Sequence, residues 1–263
     1  MIITLTTDFG LTDPFVGIMK GVILGIAPGA RLVDLTHDVP SYDVSEAAFI
    51  VERAYRYFPS GTIHVVVVDP GVGSPRRPIA AAVNEHVFVA PDNGVLSWVF
   101  HSAAEASGVS AYHITNTGLF KPVVSNTFHG RDIFAPVAAH LACGLRLESV
   151  GPRIDDCRKE ALPQLRPSGK GGFIATVLRV DKFGNVITNI LPEDLGGQFS
   201  IRVAGTEVRR LLPSYAEAKP GEVFAIEGST GYIELSVNEG SAAERSGLGR
   251  RAEIEVETGG ANH

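Results

Sequence analysis

The chain has 263 residues, 44% hydrophobic and 20% charged, with a formal net charge of −6 and an isoelectric point near 5.8. This composition supports one large or two modest domains and excludes global disorder. With no basic tract, nucleic acid is not expected as a partner. Nor is a membrane, because the most apolar helical stretch, Val16 to Ala30, is short and broken by Lys20 and glycines.

In chain order, Ile2 to Thr7 reads as a strand ending at Asp8. Asp13-Pro14 predicts an N-cap followed by proline at the first helical position. Apolar residues from Phe15 to Ile26 follow at helical spacing, and Pro28-Gly29 stops the helix. Leu32 to Leu35 predicts a second strand, ending near His37 and Asp38. Asp43 and Glu46 have capping-box spacing before a helix reaching Phe58.

The valines Val65 to Val68 form a β-branched run with no polar alternation, the pattern of a strand buried on both faces. Asp69 follows, then Pro70, Gly71 and Gly73, then Arg76 and Arg77. A carboxylate therefore stands at the C-terminal end of a buried strand, the edge where open α/β sheets bind ligands. A structural Asp–Arg pair would produce the same pattern.

Ile79 to Val83 and His86 to Ala90 predict two more strands. A turn at Pro91 to Gly94 leads into a helix over Val95 to Ala106, and Tyr112 to Ile114 predicts a short strand. The polar loop Ser125 to Asp132 precedes a helix from Ile133 to Cys143, with Asp132 as its expected cap. Residues 151–172 are rich in Pro, Gly and charge and read as a linker. Beyond them lie short β-like runs at Phe173–Val180, Val186–Ile190, Phe199–Val203, Val223–Ile226, Tyr232–Val237 and Ala252–Val256. The expected fold is an α/β layered domain with a largely parallel sheet over 1–150, the linker, and a small antiparallel β-barrel-like domain over 173–263.

Polar residues gather where strands end: Asp8, His37 with Asp38, Asp69, and Asp92 with Asn93. Four such ends at one edge point to a site, whereas one would be an ordinary cap. His129, among small and polar neighbours, is the best candidate histidine. Three chemistries fit: a divalent-metal hydrolase using Asp8, Asp69 and His129; phosphate binding by the loop 69–74, which lacks a following Walker Lys-Ser/Thr; and metal-free activation of water by Asp, Arg and His. In the second half, Asp181 to Val186 and Gly228 to Tyr232 are, by local pattern, turns. Cys143 and Cys157 show neither metal spacing nor a disulfide framework, and MIITLTTDFG lacks the basic segment of a signal peptide. A cytoplasmic protein with reduced thiols is expected.

Together, LTTDFG at 5–10, VDPGVGSPRR at 68–77, PDNG at 91–94, TFHGRDIFAP at 127–136 and DKFGNVITNI at 181–190 resemble one family. It is the S-adenosyl-L-methionine (SAM) hydrolases, or SAM hydroxide adenosyltransferases, relatives of the fluorinating and chlorinating SAM enzymes. The resemblance implies an α/β N-terminal and a β-barrel-like C-terminal domain, in homotrimers with active sites at subunit interfaces. The implied reaction is SAM with water to adenosine and L-methionine, without metal or other cofactor.

Asp69, Arg76 and His129 match the set that positions and activates water. Asp8 matches the acid on the ribose hydroxyls. Asn185 matches the adenine-binding amide, with Phe183 and Tyr215 flanking the adenine and the backbone near Glu239 meeting it. Asp13, Asp181 and Ser229 match positions near the methionine moiety. Thr230 stands where fluorinating relatives have Arg. Those relatives also have Tyr, Thr and Ser at the positions of Asp69, Val72 and Gly130; Gly130 resembles the chlorinating branch. A carboxylate beside the nucleophile repels chloride, which favours water. A chloride adenosyltransferase, and a nucleoside- or SAM-binding protein with little turnover, are the alternatives.

Overall fold

The computed structural model describes residues 1–103, 108–169, 171–203 and 205–259, and the chain divides into two units, Met1–Leu162 and Pro163–His263. In the first, β1 (Ile2–Thr7), β2 (Arg31–Thr36), β3 (Ile63–Val67), β4 (Pro78–Val83), β5 (His86–Pro91), β6 (Val109–His113) and β7 (Arg153–Ile154) form one sheet in the order 2-1-3-5-4-6-7. The first four in that order are parallel, and β4, β6 and β7 add antiparallel strands at one side.

Helices cover both faces: α1 (Phe15–Ile26), α2 (Val44–Tyr55), α3 (Ser97–Ala103) and α4 (Ala135–Ala142). Met19, Ile23, Val137 and Ala138 of α1 and α4 cluster with Ile3, Leu5, Val65 and Val67. Val51, Tyr55, Val99 and Phe100 of α2 and α3 cluster with Val66, Val68, Ile79 and Phe88. The valine run is thus divided alternately between two cores, each buried valine contributing about 1.5–3 kcal/mol. The expected end of the third helix, at Ala104 to Ala106, lies outside the described residues.

Two expected caps are corrected. α1 begins at Phe15, with Pro14 at its N-cap and no side-chain cap. The first-turn bond runs from Ile18 N to the carbonyl of Pro14, which leaves Asp13 a residue too early to cap and exposed. Asp132 does not start its helix either, because a π-helical turn at Gly130–Phe134 precedes α4 and contains it. Asp43 does cap α2, accepting from Glu46 N at 3.1 Å.

The segment read as a linker is structured. β7 pairs with β6, Arg158 N donates to Asp92, and Glu160 N donates to Ser97 Oγ, so residues 153–160 are part of the first unit. In the second unit, β8 (Arg166–Pro167) pairs with β9 (Gly172–Val180). They join β10 (Val186–Thr188), β11 (Phe199–Val203), β12 (Thr206–Val208), β13 (Leu211–Leu212), β14 (Val223–Glu227), β15 (Ile233–Val237) and β16 (Glu253–Thr258). The order is 12-11-16-9-10-15-14-13, antiparallel except where β13 meets β14. The short β12 and β13, and helix α5 (Ala242–Ser246), have too few residues to show a period in sequence.

β15 alternates cleanly. Ile233, Leu235 and Val237 enter the core with Val177 and Val186. Glu234 and Ser236 face the other way, opposite Ile226 and Phe224 of β14, which cluster with Leu212 and Ala218.

Candidate active site

In the first unit, adjacent parallel strands β1 and β3 end side by side, Thr7 opposite Val67, and deliver Asp8 and Asp69 to one sheet edge. Asp69 begins a loop that returns Arg76 against it. Arg76 Nε donates to Asp69 Oδ1 at 2.9 Å, and Nη2 donates to Oδ2. The pair is nearly dry, with side chains 9% and 5% exposed. The Arg76 guanidinium also lies 5.3 Å from the centre of the Phe134 ring.

Arg76 Nη2 further donates to Nδ1 of His129 at 2.8 Å. The three residues that sequence singled out for water activation are therefore one hydrogen-bonded group. Burial, reinforced by the positive charge of Arg76, holds His129 below the ordinary histidine range, so its imidazole is neutral.

Two devices place His129. Asp132 reaches back from the π-helical turn to accept from Ser125 N at 2.9 Å and Ser125 Oγ at 2.8 Å, closing the loop that ends at His129. Arg131 flanks the same carboxylate, and together these donors keep it ionised, below the ordinary range despite its burial. The second device is Gly73. Its φ is +78°, and a Cβ there would lie 2.5 Å from the carbonyl oxygen of Asn126. The loop bearing Arg76 thus touches the loop bearing His129 at a point only glycine fits.

Other strand-end groups belong to the scaffold. Arg77 binds Asp92 Oδ2 and Asp156, and Arg158 N takes the other oxygen of Asp92. Asn93 donates to the Val68 carbonyl and accepts from Val95 N. His37 is buried between Thr7 Oγ1 and Asp34. Asp8 is half-buried, its Oδ2 accepting from Tyr42 N at 2.8 Å.

In the second unit, a cavity of about 620 Å³ is lined by Asp181, Phe183, Asn185, Tyr215, Ser229 and Glu239, six residues named from sequence, and also by Glu227, Glu234 and Val237. Asp181 organises the turn: Oδ1 accepts from Phe183 N and Asn185 N, and Oδ2 from the side-chain amide of Asn185 at 2.9 Å. Gly184, at φ +83°, leaves no room for a Cβ against Ser241. Phe183 is 77% exposed and Tyr215 41%, so two aromatic rings stand open beside an amide that is itself buried. Tyr215 is oriented by its hydroxyl near Ser236 Oγ and by edge contact with Phe224. Among the described residues, Asp13 is the one sequence-named site residue that gains neither a hydrogen bond nor a place in this cavity.

The sequence matches the family models for the SAM hydroxide adenosyltransferase N-terminal domain, over residues 3–151, and C-terminal domain, over residues 175–255. The chain belongs to the SAM hydroxide adenosyltransferase family. The (R)-S-adenosyl-L-methionine hydrolase of Salinispora tropica is 42% identical over 252 residues, covering 94% of each chain. The solved structure of an uncharacterized conserved protein from Thermotoga maritima superposes with a TM-score of 0.87 at 39% identity, covering 97% of this chain and 99% of that one. The fluorinase of Actinoplanes sp. is more distant, at 30% identity over 90% of this chain and 91% of its own.

Among the described residues no helix is long and apolar enough to cross a membrane, and no three His, Cys, Asp or Glu converge as metal ligands.

Proposed function

We propose that this member of the SAM hydroxide adenosyltransferase family hydrolyses S-adenosyl-L-methionine, in the R configuration at sulfur named for its hydrolase relatives, to adenosine and L-methionine. The observation that carries the reading is the Asp69–Arg76–His129 group, whose carboxylate and neutral imidazole suit water rather than halide. Water attacks C5′ of the ribose in line with the C5′–S bond. That bond breaks with its electron pair going to sulfur, and methionine leaves as a neutral thioether. The leaving group needs neither a proton nor a Lewis acid, so the task of the protein is the nucleophile.

Roles follow from donor chemistry. A guanidinium only donates, so Nδ1 of His129 accepts and the neutral ring carries its proton on Nε2. Nε2–H then orients water through an oxygen lone pair and does not take its proton. The proton passes to Asp69, whose oxygens keep lone pairs beyond those used by Arg76. Such proton transfer contributes roughly 10²- to 10⁴-fold, and in-line placement supplies much of the rest. Asp8 holds the ribose, Asn185, Phe183 and Tyr215 the adenine, and Asp13, Asp181 and Ser229 the methionine end. The homotrimer implied by the resemblance belongs to the same reading, and sedimentation velocity checks it. Cytoplasmic residence is supported by two free thiols, Cys143 and Cys157.

The test is turnover of each SAM epimer in ¹⁸O water, with and without EDTA and with chloride added. Adenosine labelled at its 5′ oxygen, undiminished by EDTA, is expected. Chlorinated adenosine, or tight adenosine binding without turnover, would overturn the reading.

A further inference from the structure

Glu234 is a carboxylate that the site has not used. It is 6% exposed and stands on β15, opposite Ile226 of β14 and Ile187 of β10. Its side chain lies on Gly228, where a Cβ would come 1.8 Å from Glu234 Oε1, so glycine forms the cradle the carboxyl occupies. No described residue donates a hydrogen bond to it, although it lines the cavity of the second unit. Its oxygens are not among the fully buried unpaired atoms, so they open to the cavity, where a ligand can supply the donor that the described protein groups do not.

The cavity indicates the ligand's sign. Its charged lining residues are Asp181, Glu227, Glu234 and Glu239, with no lysine or arginine among the described lining. Four carboxylates in one cavity select a cation. SAM has two cationic groups. The sulfonium has no N–H or O–H, so it would leave Glu234 without a hydrogen bond. The α-ammonium carries three N–H donors and satisfies both the charge and the bond.

Resting on the hydrolase reading, we propose that Glu234 is the carboxylate that binds the substrate's α-ammonium group, and that it makes the cavity prefer SAM to the adenosine released from it. Adenosine lacks an ammonium and gains nothing from Glu234. An adenine amino group would offer only neutral donors to a buried charge, which makes it the poorer match.

The experiment compares Glu234→Gln with the unchanged chain. Glutamine keeps the size and removes the charge, and among the described residues Glu234 has no hydrogen-bond partner to lose, so the variant is expected to fold. Steady-state kinetics are measured with SAM and with the analogue in which hydrogen replaces the α-amino group. Affinities for SAM and adenosine are measured by calorimetry in an Asp69→Asn background, which prevents turnover. The expected result is a rise in KM and Kd for SAM of about 10- to 100-fold, the worth of a hydrogen bond to a charged group. Little change is expected in kcat, in adenosine affinity, or in KM for the desamino analogue. Equal losses on SAM and the analogue would overturn the proposal, as would unchanged SAM affinity. A parallel loss of adenosine affinity would assign Glu234 to the base and overturn it too. Failure of the hydrolase reading looks different: the unchanged chain would release no adenosine from SAM, while calorimetry would still report on Glu234.

Discussion

Nδ1 of His129 accepts from Arg76 at 2.8 Å, and that single contact sets the protonation state the site requires. Protonating Nδ1 would place two donors face to face and break the group. Burial and the Arg76 charge lower the pKa of His129 from its ordinary 6.5, against the opposing pull of Asp69 and Asp132. The neutral form is therefore kept at neutral pH, and kcat/KM is level there. Below 6.5, once the lowered pKa is reached, activity falls by about tenfold per pH unit. His129→Asn places an amide oxygen near the position of Nδ1 and does not titrate. Its pH–rate profile should lose this acid limb while its plateau drops, and an unchanged limb would assign the ionisation elsewhere.

Arg76 makes its contacts with a planar fork, Nε and Nη2 to Asp69 and Nη2 to His129. Lysine restores the charge but not the fork. Arg76→Lys should lower kcat by roughly 10²- to 10³-fold, the usual cost of one preorganised donor, with adenosine affinity unchanged in calorimetry. Arg76→Ala is a poorer probe. It strands a buried carboxylate and should cost about 3–5 kcal/mol of stability, read as a lower midpoint in urea. Asp69→Asn removes the proton acceptor and should be inactive at every pH, while still binding adenosine.

Gly73 tests whether the two loops must touch. Alanine there meets a positive φ and a backbone oxygen 2.5 Å from its Cβ, and neither partner is a flexible side chain. Gly73→Ala should cost about 1–3 kcal/mol and separate Arg76 from His129. The expected outcome is a fall of at least about tenfold in kcat together with a lower Tm. Full activity would show that the 69–76 loop can move without disturbing the group.

Much of this was legible in sequence because periodicity reports burial directly. Val65 to Val68 could be read as a doubly buried strand since β-branched residues with no polar alternation fit little else. The Asp69–Arg76 pair was readable as either site or scaffold, and only His129, 53 positions beyond Arg76, decides between them. Nothing local announces that separation. Asp132 looked like a cap because it precedes an apolar helix, but the π-helical turn moves it inward, where it clamps Ser125 instead. Likewise Asp92 and Asn93 resemble site residues because scaffold and site draw on the same polar types at strand ends; Arg77 and Arg158 reveal them as scaffold. Glu234 has no such signal in its residue type, because an acid within an apolar strand reads as solvent-facing. The signal was its register, one residue off the core-facing Ile233 and Leu235, which directs it to the face where Phe224 and Ile226 cluster.

Glu234 also has a consequence for stability. Burial, and secondarily the charge of Asp181, raises its pKa above the ordinary 4.5. The native state thus holds the proton more tightly than the unfolded state, so stability is full below pH 4.5 and falls as pH rises through the raised value. Above that value the unliganded protein carries the cost of partly desolvating the charge. Glu234→Gln has no charge to bury, so its unfolding midpoint in urea should exceed that of the parent at neutral pH. The two midpoints should converge below pH 4.5, where both side chains are neutral. Saturating SAM should narrow the neutral-pH gap from the other direction, because a ligand cation stabilises only the parent's carboxylate; Asp69→Asn in both proteins keeps SAM intact during the measurement. A variant less stable than its parent at neutral pH would mean that Glu234 is already paired without ligand, and the cation assignment would fail with it.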